Sequence, residues 1–178
     1  MYLEFLLVIA DYISTLNKRI IIYEWGLPIL LGITSGILSF VNNDNVLYNI
    51  IQNSVPIIAT LLGFTLAALT LFLTGNAKIE EAKSYLTDKK ISGQPISLYR
   101  LVVVNYSYLI LVETFLCISF YIASLFPYIS NKYVCMIANM FFIIAMFNTL
   151  FSTIRSITDL YFIIIKKEKK KQCQKPTA

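Results

Sequence analysis

The sequence predicts an all-α, polytopic membrane protein with four transmembrane helices and an N-terminal interfacial amphipathic helix. Three observations predict it. Of 178 residues, 57% are hydrophobic and 14% charged, with a mean hydropathy of +0.69. An ordinary soluble domain is about a quarter charged. Four apolar stretches approach or exceed the roughly 20 residues that one bilayer crossing needs. The basic residues cluster in segments separated by even numbers of those stretches. The chain also has no histidine, which removes the commonest general base and the commonest metal ligand together.

The elements follow in order. Residues 1–19 form the N-terminal segment: 1–16 are apolar but carry Glu4 and Asp11, seven apart and therefore on one helical face, and Lys18 and Arg19 close it. A secretory leader begins with positive charge, and this segment does not. It is expected to lie in the membrane interface, with packing against the bundle as the other placement. Residues 20–74 form a first transmembrane hairpin. Its spans are expected over Ile20–Val41 and Ser54–Thr74, joined by a polar turn at 42–45, with Pro56 in the first turn of the second span. Glu24 and Trp25 fall near the start of the first span, where Trp favours the interface.

A loop at 75–100 is polar. Asn76 is a candidate N-cap for a short helix with Ile79, Ala82 and Leu86 on one face, and Ser92-Gly93-Gln94-Pro95 turns the chain back. At about 25 residues it is too small for a domain of its own. Residues 101–165 form a second hairpin, with spans over Leu101–Phe126 and from Val134 onward. The last helix stays apolar to Ile165 and so extends beyond the bilayer. The tail, 166–178, is basic.

Orientation follows from the positive charges. The 42–53 loop has none, and the 127–133 loop has only Lys132. Lys18 and Arg19, then Lys78, Lys83, Lys89, Lys90 and Arg100, then six lysines from Lys166 to Lys175, all fall on one side of an even number of crossings. Positive-inside asymmetry places both termini and the 75–100 loop in the cytoplasm of a cell with a plasma (inner) membrane. The lysine run follows an apolar helix directly and lacks interleaved aromatics, so direct nucleic-acid binding is not expected. Cys117, Cys135 and Cys173 match no metal or disulfide spacing.

Four features lie within the spans. Gly32 and Gly36 form a small-xxx-small pair, and Ala59, Gly63 and Ala67 form a second small ridge. Packing of the first two spans on each other, or contact between subunits, would use them. Glu113 sits mid-span, where a charged carboxylate is costly and marks a functional position or a polar pairing. Its depth matches that of Asn148, a candidate hydrogen-bond partner. Asn148, Ser152, Arg155 and Asp159 recur at spacings of four, three and four, one face of the last helix. Arg155 and Asp159 can pair at i,i+4. Arg155, level with Asn105 and Tyr106, can also act as a snorkelling anchor. In several assembled copies the stripe would line a pore, and conduction would imply a homo-oligomer. No nucleophile–base set and no phosphate loop occur, so neither enzyme activity nor a cofactor or metal is expected.

The chain resembles the small multi-pass membrane components of prokaryotic anti-phage loci. These include the membrane subunit of Kiwa-type defence and the membrane accessory proteins of type VI-B CRISPR systems. The resemblance rests on size, four apolar segments, the run from Pro56 through Leu61-Leu62-Gly63-Phe64-Thr65-Leu66-Ala67, and a long last helix ending in lysines. It implies a membrane effector or sensor beside a soluble nuclease or binding protein. Some such accessories oligomerise into pores and carry a degenerate Arg-x4–6-His nuclease-like motif. Arg155 matches its Arg, but no His follows, which speaks against a ribonuclease role. The expected function is thus a homo-oligomeric pore or membrane-perturbing accessory in antiviral defence. The alternatives are a scaffold recruiting a cytoplasmic partner through 75–100 and the tail, and a small ion or solute transporter using Glu113.

Overall fold

The structure, a computed structural model, describes residues 4–42, 46–74, 77–91, 93–125 and 131–173, without the side chains of 42, 46–49, 77–79, 81, 88 and 162–173. The turn at 43–45, the Asn76 cap, Ser92, Pro127 and the lysine side chains of the tail lie outside that description.

The described chain runs α1 (Glu4–Thr15), α2 (Lys18–Ile21), a π-helical turn (Ile22–Gly26), α3 (Leu27–Asn42), α4 (Val46–Leu73), α5 (Ala77–Ser84), β1 (Leu86–Ile91), β2 (Gln94–Ser97), α6 (Leu98–Ser124) and α7 (Lys132–Cys173). The fold is all-α apart from one hairpin. Four helical stretches are long and apolar enough to cross a membrane: Lys18–Val41, Ile50–Leu73, Leu98–Ser124 and Lys132–Tyr161. The last continues as one helix to Cys173, past the end of its apolar run at Ile165.

Three local features differ from the sequence expectation. First, α4 begins well before Ser54, so Pro56 sits inside the helix rather than in its first turn. Second, the 75–100 loop holds an antiparallel hairpin after its short helix. Lys90 pairs with Pro95 and Ile91 with Gln94, and Gly93 turns the chain with φ +80°, a conformation that glycine adopts without a Cβ penalty. The hairpin forms because Ile91 and Ile96 are both buried against Tyr12 and Leu101.

Third, among the described residues the first two spans do not pack along each other. Instead α3 packs along α7, and α4 along α6. Gly32 and Gly36 face α7 at Ile144 and Met140, the close approach that small residues permit. Ala59, Gly63 and Ala67 lie on the exposed face of α4, where a Cβ on Gly63 would meet nothing within 4 Å. Between α4 and α6 the core is Ile51, Ile58, Leu116 and Phe120, with Phe142 of α7 stacked on Phe120 at 4.6 Å.

Of the two placements open to the N-terminal helix, α1 takes the packed one. Tyr12 stacks flat on Tyr108 of α6, with centroids 3.5 Å apart. The carbonyl of Thr15 lies at the hairpin, 2.6 Å from Lys89 Nζ. At the other end Phe5 and Ile9 lie beside Leu111–Ile118. The helix therefore runs antiparallel to α6. Its outer face, with Leu6, Leu7 and Ile13, stays exposed.

Candidate functional site

The site starts from a proline. Pro28 has no N–H to donate to the carbonyl four residues back, and its ring crowds that carbonyl. That residue is Glu24. The backbone answers with the π-helical turn, in which Leu27 N–H bonds Ile22 O. Such turns recur at functional positions. The freed Glu24 carbonyl accepts from Asn148 Nδ2 at 2.7 Å. Asn148→Leu is expected to destabilise the fold by about 1–3 kcal/mol, because it leaves a buried carbonyl without a donor. A denaturant titration in detergent micelles checks this.

The same turn aims the Glu24 side chain inward, where it is fully buried. Arg155 Nη1 lies 2.9 Å from Glu24 Oε1, and Tyr12 donates its hydroxyl to Glu24 Oε2 at 2.5 Å. The Tyr12 hydroxyl is also 3.2 Å from Ser152 Oγ. The Tyr12 ring lies under the Arg155 guanidinium at 5.1 Å, a cation–π distance. Arg155 Nη2 donates to Asn105 Oδ1 at 2.9 Å, and Asn105 Nδ2 donates to Asp159 Oδ2 at 3.1 Å. One arginine is thus held by residues from three elements, with a second acid one amide away.

The stripe of Asn148, Ser152, Arg155 and Asp159 is therefore gathered into one cluster. It faces the interior of a single chain, against Tyr12, Glu24 and Asn105. Arg155 does not snorkel: its side chain is only 15% exposed. Nor do Arg155 and Asp159 form an ion pair among the described residues; Asn105 bridges them instead. Arg155 Nε, Tyr106 Oη and Ser156 Oγ are buried without a hydrogen-bond partner among the described residues.

Glu113 stands apart from this cluster. It does not meet Asn148, whose amide is committed to Glu24. Thr65 of α4 donates to Glu113 Oε2 at 2.5 Å, and Thr153 of α7 lies 3.5 Å from Oε1. This carboxyl joins three helices at one buried point.

At the hairpin end, Lys89 ties α1 down by donating to the Thr15 carbonyl, and Arg100 lies 3.8 Å from Asp11. Burial pushes the Lys89 amine below its usual range, and the positive Arg155 adds to this. Burial likewise holds the Tyr12 hydroxyl well above its usual range, so it remains a donor. Lys89→Met removes the bond to the last carbonyl of α1. Amide exchange over residues 4–15 is expected to speed up roughly fivefold, the equivalent of about 1 kcal/mol. Unchanged exchange would show that the clip contributes nothing.

Depth along the helices sets Asn105 level with Arg155, but nothing in the sequence singles out Glu24 and Tyr12 as partners of the stripe. Only Pro28, four residues after a membrane-embedded acid, signalled that Glu24 is special. Among the described residues no group of three or more His, Cys, Asp and Glu side chains is placed to hold a metal ion. Comparison of the chain with protein-family models, with curated proteins and with solved structures gives no match.

Proposed function

We propose that the chain is a membrane effector or accessory whose polar stripe is kept closed by its own N-terminal helix. One observation carries this reading. Tyr12 of α1 sits over Arg155 and bonds both Glu24 and Ser152. A stripe that would be costly against lipid is thereby covered by an element outside the four candidate spans. Withdrawal of α1 uncovers Ser152, Glu24 and Arg155, and several copies together then enclose a hydrated path or perturb the bilayer. The exposed ridge of Ala59, Gly63 and Ala67 supports contact between copies. The C-terminal end of α1, tied to the hairpin through Thr15 and Lys89, supports a shared cytoplasmic side for the start of the first span and the 75–100 loop. Its setting in prokaryotic antiviral defence, beside a cytoplasmic nuclease or binding protein, rests on the resemblance described above.

The test is release of a trapped dye from liposomes. Wild-type protein is expected to hold dye, and Tyr12→Ala or removal of residues 1–16 to release it. Liposomes that stay tight with both variants would overturn the gating reading. A second reading, recruitment of a cytoplasmic partner, is favoured by Leu86, which stands 64% exposed on the hairpin next to the half-exposed Tyr85.

A further inference from the structure

A crevice of about 550 Å³ opens on the side of the bundle, walled by Phe5 and Ile9 of α1, by Trp25, and by Phe115 and Phe141. Its size falls within the usual range for ligand sites, about 300–1,000 Å³. Among the described residues no charged side chain lines it; Tyr108, Thr114 and Asn148 supply its hydroxyl and amide groups. Its walls on α6 run from Tyr108 to Ile118, and on α7 from Phe141 to Asn148. Both stretches lie within candidate membrane spans. The crevice therefore opens to hydrocarbon, not to water. Phe115, Ile118 and Phe141 are all more than half exposed on these walls.

Its length identifies what fits. Ten residues along α6 span about 15 Å at the helical rise. That is half of a hydrocarbon core of about 30 Å, the reach of one acyl chain in one leaflet. An apolar cavity of this kind does not fill with water. We propose that the crevice is a binding site for one acyl chain of a membrane phospholipid. The seated chain packs against Phe5 and Ile9 and so braces α1 in its docked position.

The protein provides its own probe, because Trp25 is the single tryptophan of the chain and lines the crevice. Full-length protein in detergent micelles is titrated with a phosphatidylcholine brominated at mid-chain, and tryptophan fluorescence is read. The expected result is a saturable quenching component that ends near one lipid per chain. Ala145→Phe, which fills the crevice floor, and Thr114→Phe, at an exposed lining position, should each weaken that component about tenfold. Both variants are first checked for an unchanged helical signal and melt. If Ala145→Phe fails to fold, Thr114→Phe carries the comparison alone. Quenching that rises without saturation, or that saturates equally in wild type and the folded variants, overturns the proposal.

Discussion

Arg155→Leu is expected to destabilise the folded chain by about 3–5 kcal/mol, the usual result of breaking a buried pair and leaving its partner charge behind. Arg155 faces Glu24 at 2.9 Å and holds Asn105, which in turn holds Asp159. Without the guanidinium, two acids remain in a buried site with no described cation except the partly buried Lys89. The companion experiment separates charge from packing. The double change Glu24→Gln with Arg155→Leu removes both charges and should recover most of the loss, since replacing a whole buried pair is often near neutral. Denaturant titrations of the three proteins in one detergent give both numbers. A double variant as unstable as Arg155→Leu would mean that shape, not charge, is what the cluster contributes.

Gly32→Leu is also expected to destabilise the folded chain. A Cβ at this position would lie 3.0 Å from the Met140 carbonyl oxygen and 2.9 Å from Ile144 Cδ1. Backbone cannot give way as a flexible side chain can, so α3 must separate from α7. Overpacking of this kind usually costs about 1–3 kcal/mol. Gly63→Leu is the matched control. A Cβ there meets nothing within 4 Å, so the melting of the single chain should stay within about 0.5 kcal/mol of wild type. A change in particle mass caused by Gly63→Leu alone would point to that ridge as the contact between copies. Equal destabilisation by the two changes would contradict the packing described.

The spans were legible because hydropathy over some 20 residues depends on composition and hardly on partners. The continuous helix through Ile165 was legible for the same reason. Helix pairing was not. Gly32 and Gly36 announce that something approaches closely, but a small-residue ridge does not name its partner, and α7 rather than the second span fills that place. The hairpin is not legible in the sequence because Leu86–Ile91 reads as one polar segment, and what pairs it is the joint burial of Ile91 and Ile96. The candidate site was half legible. Spacing put Asn148, Ser152, Arg155 and Asp159 on one face, and depth matched Arg155 to Asn105. Tyr12 and Glu24 complete the cluster through contacts 140 and 131 residues distant in sequence, and no local pattern encodes those. Pro28 was the one local clue, since a proline frees the carbonyl four residues before it. The depth of Glu113 alone marks it in the sequence, but its threonine partners lie on two other helices.

Closure of the stripe by α1 is tested most directly by the accessibility of residue 152. Cys117, Cys135 and Cys173 are replaced by serine, Ser152→Cys is introduced, and the protein is reconstituted in liposomes. A membrane-impermeant thiol reagent is then applied. With Tyr12 in place, position 152 should label slowly; with Tyr12→Ala added, it should label about tenfold faster, as expected when an opening costs about 1.4 kcal/mol less. Rapid labelling with Tyr12 intact would contradict the account, because the stripe would then already line an open aqueous path.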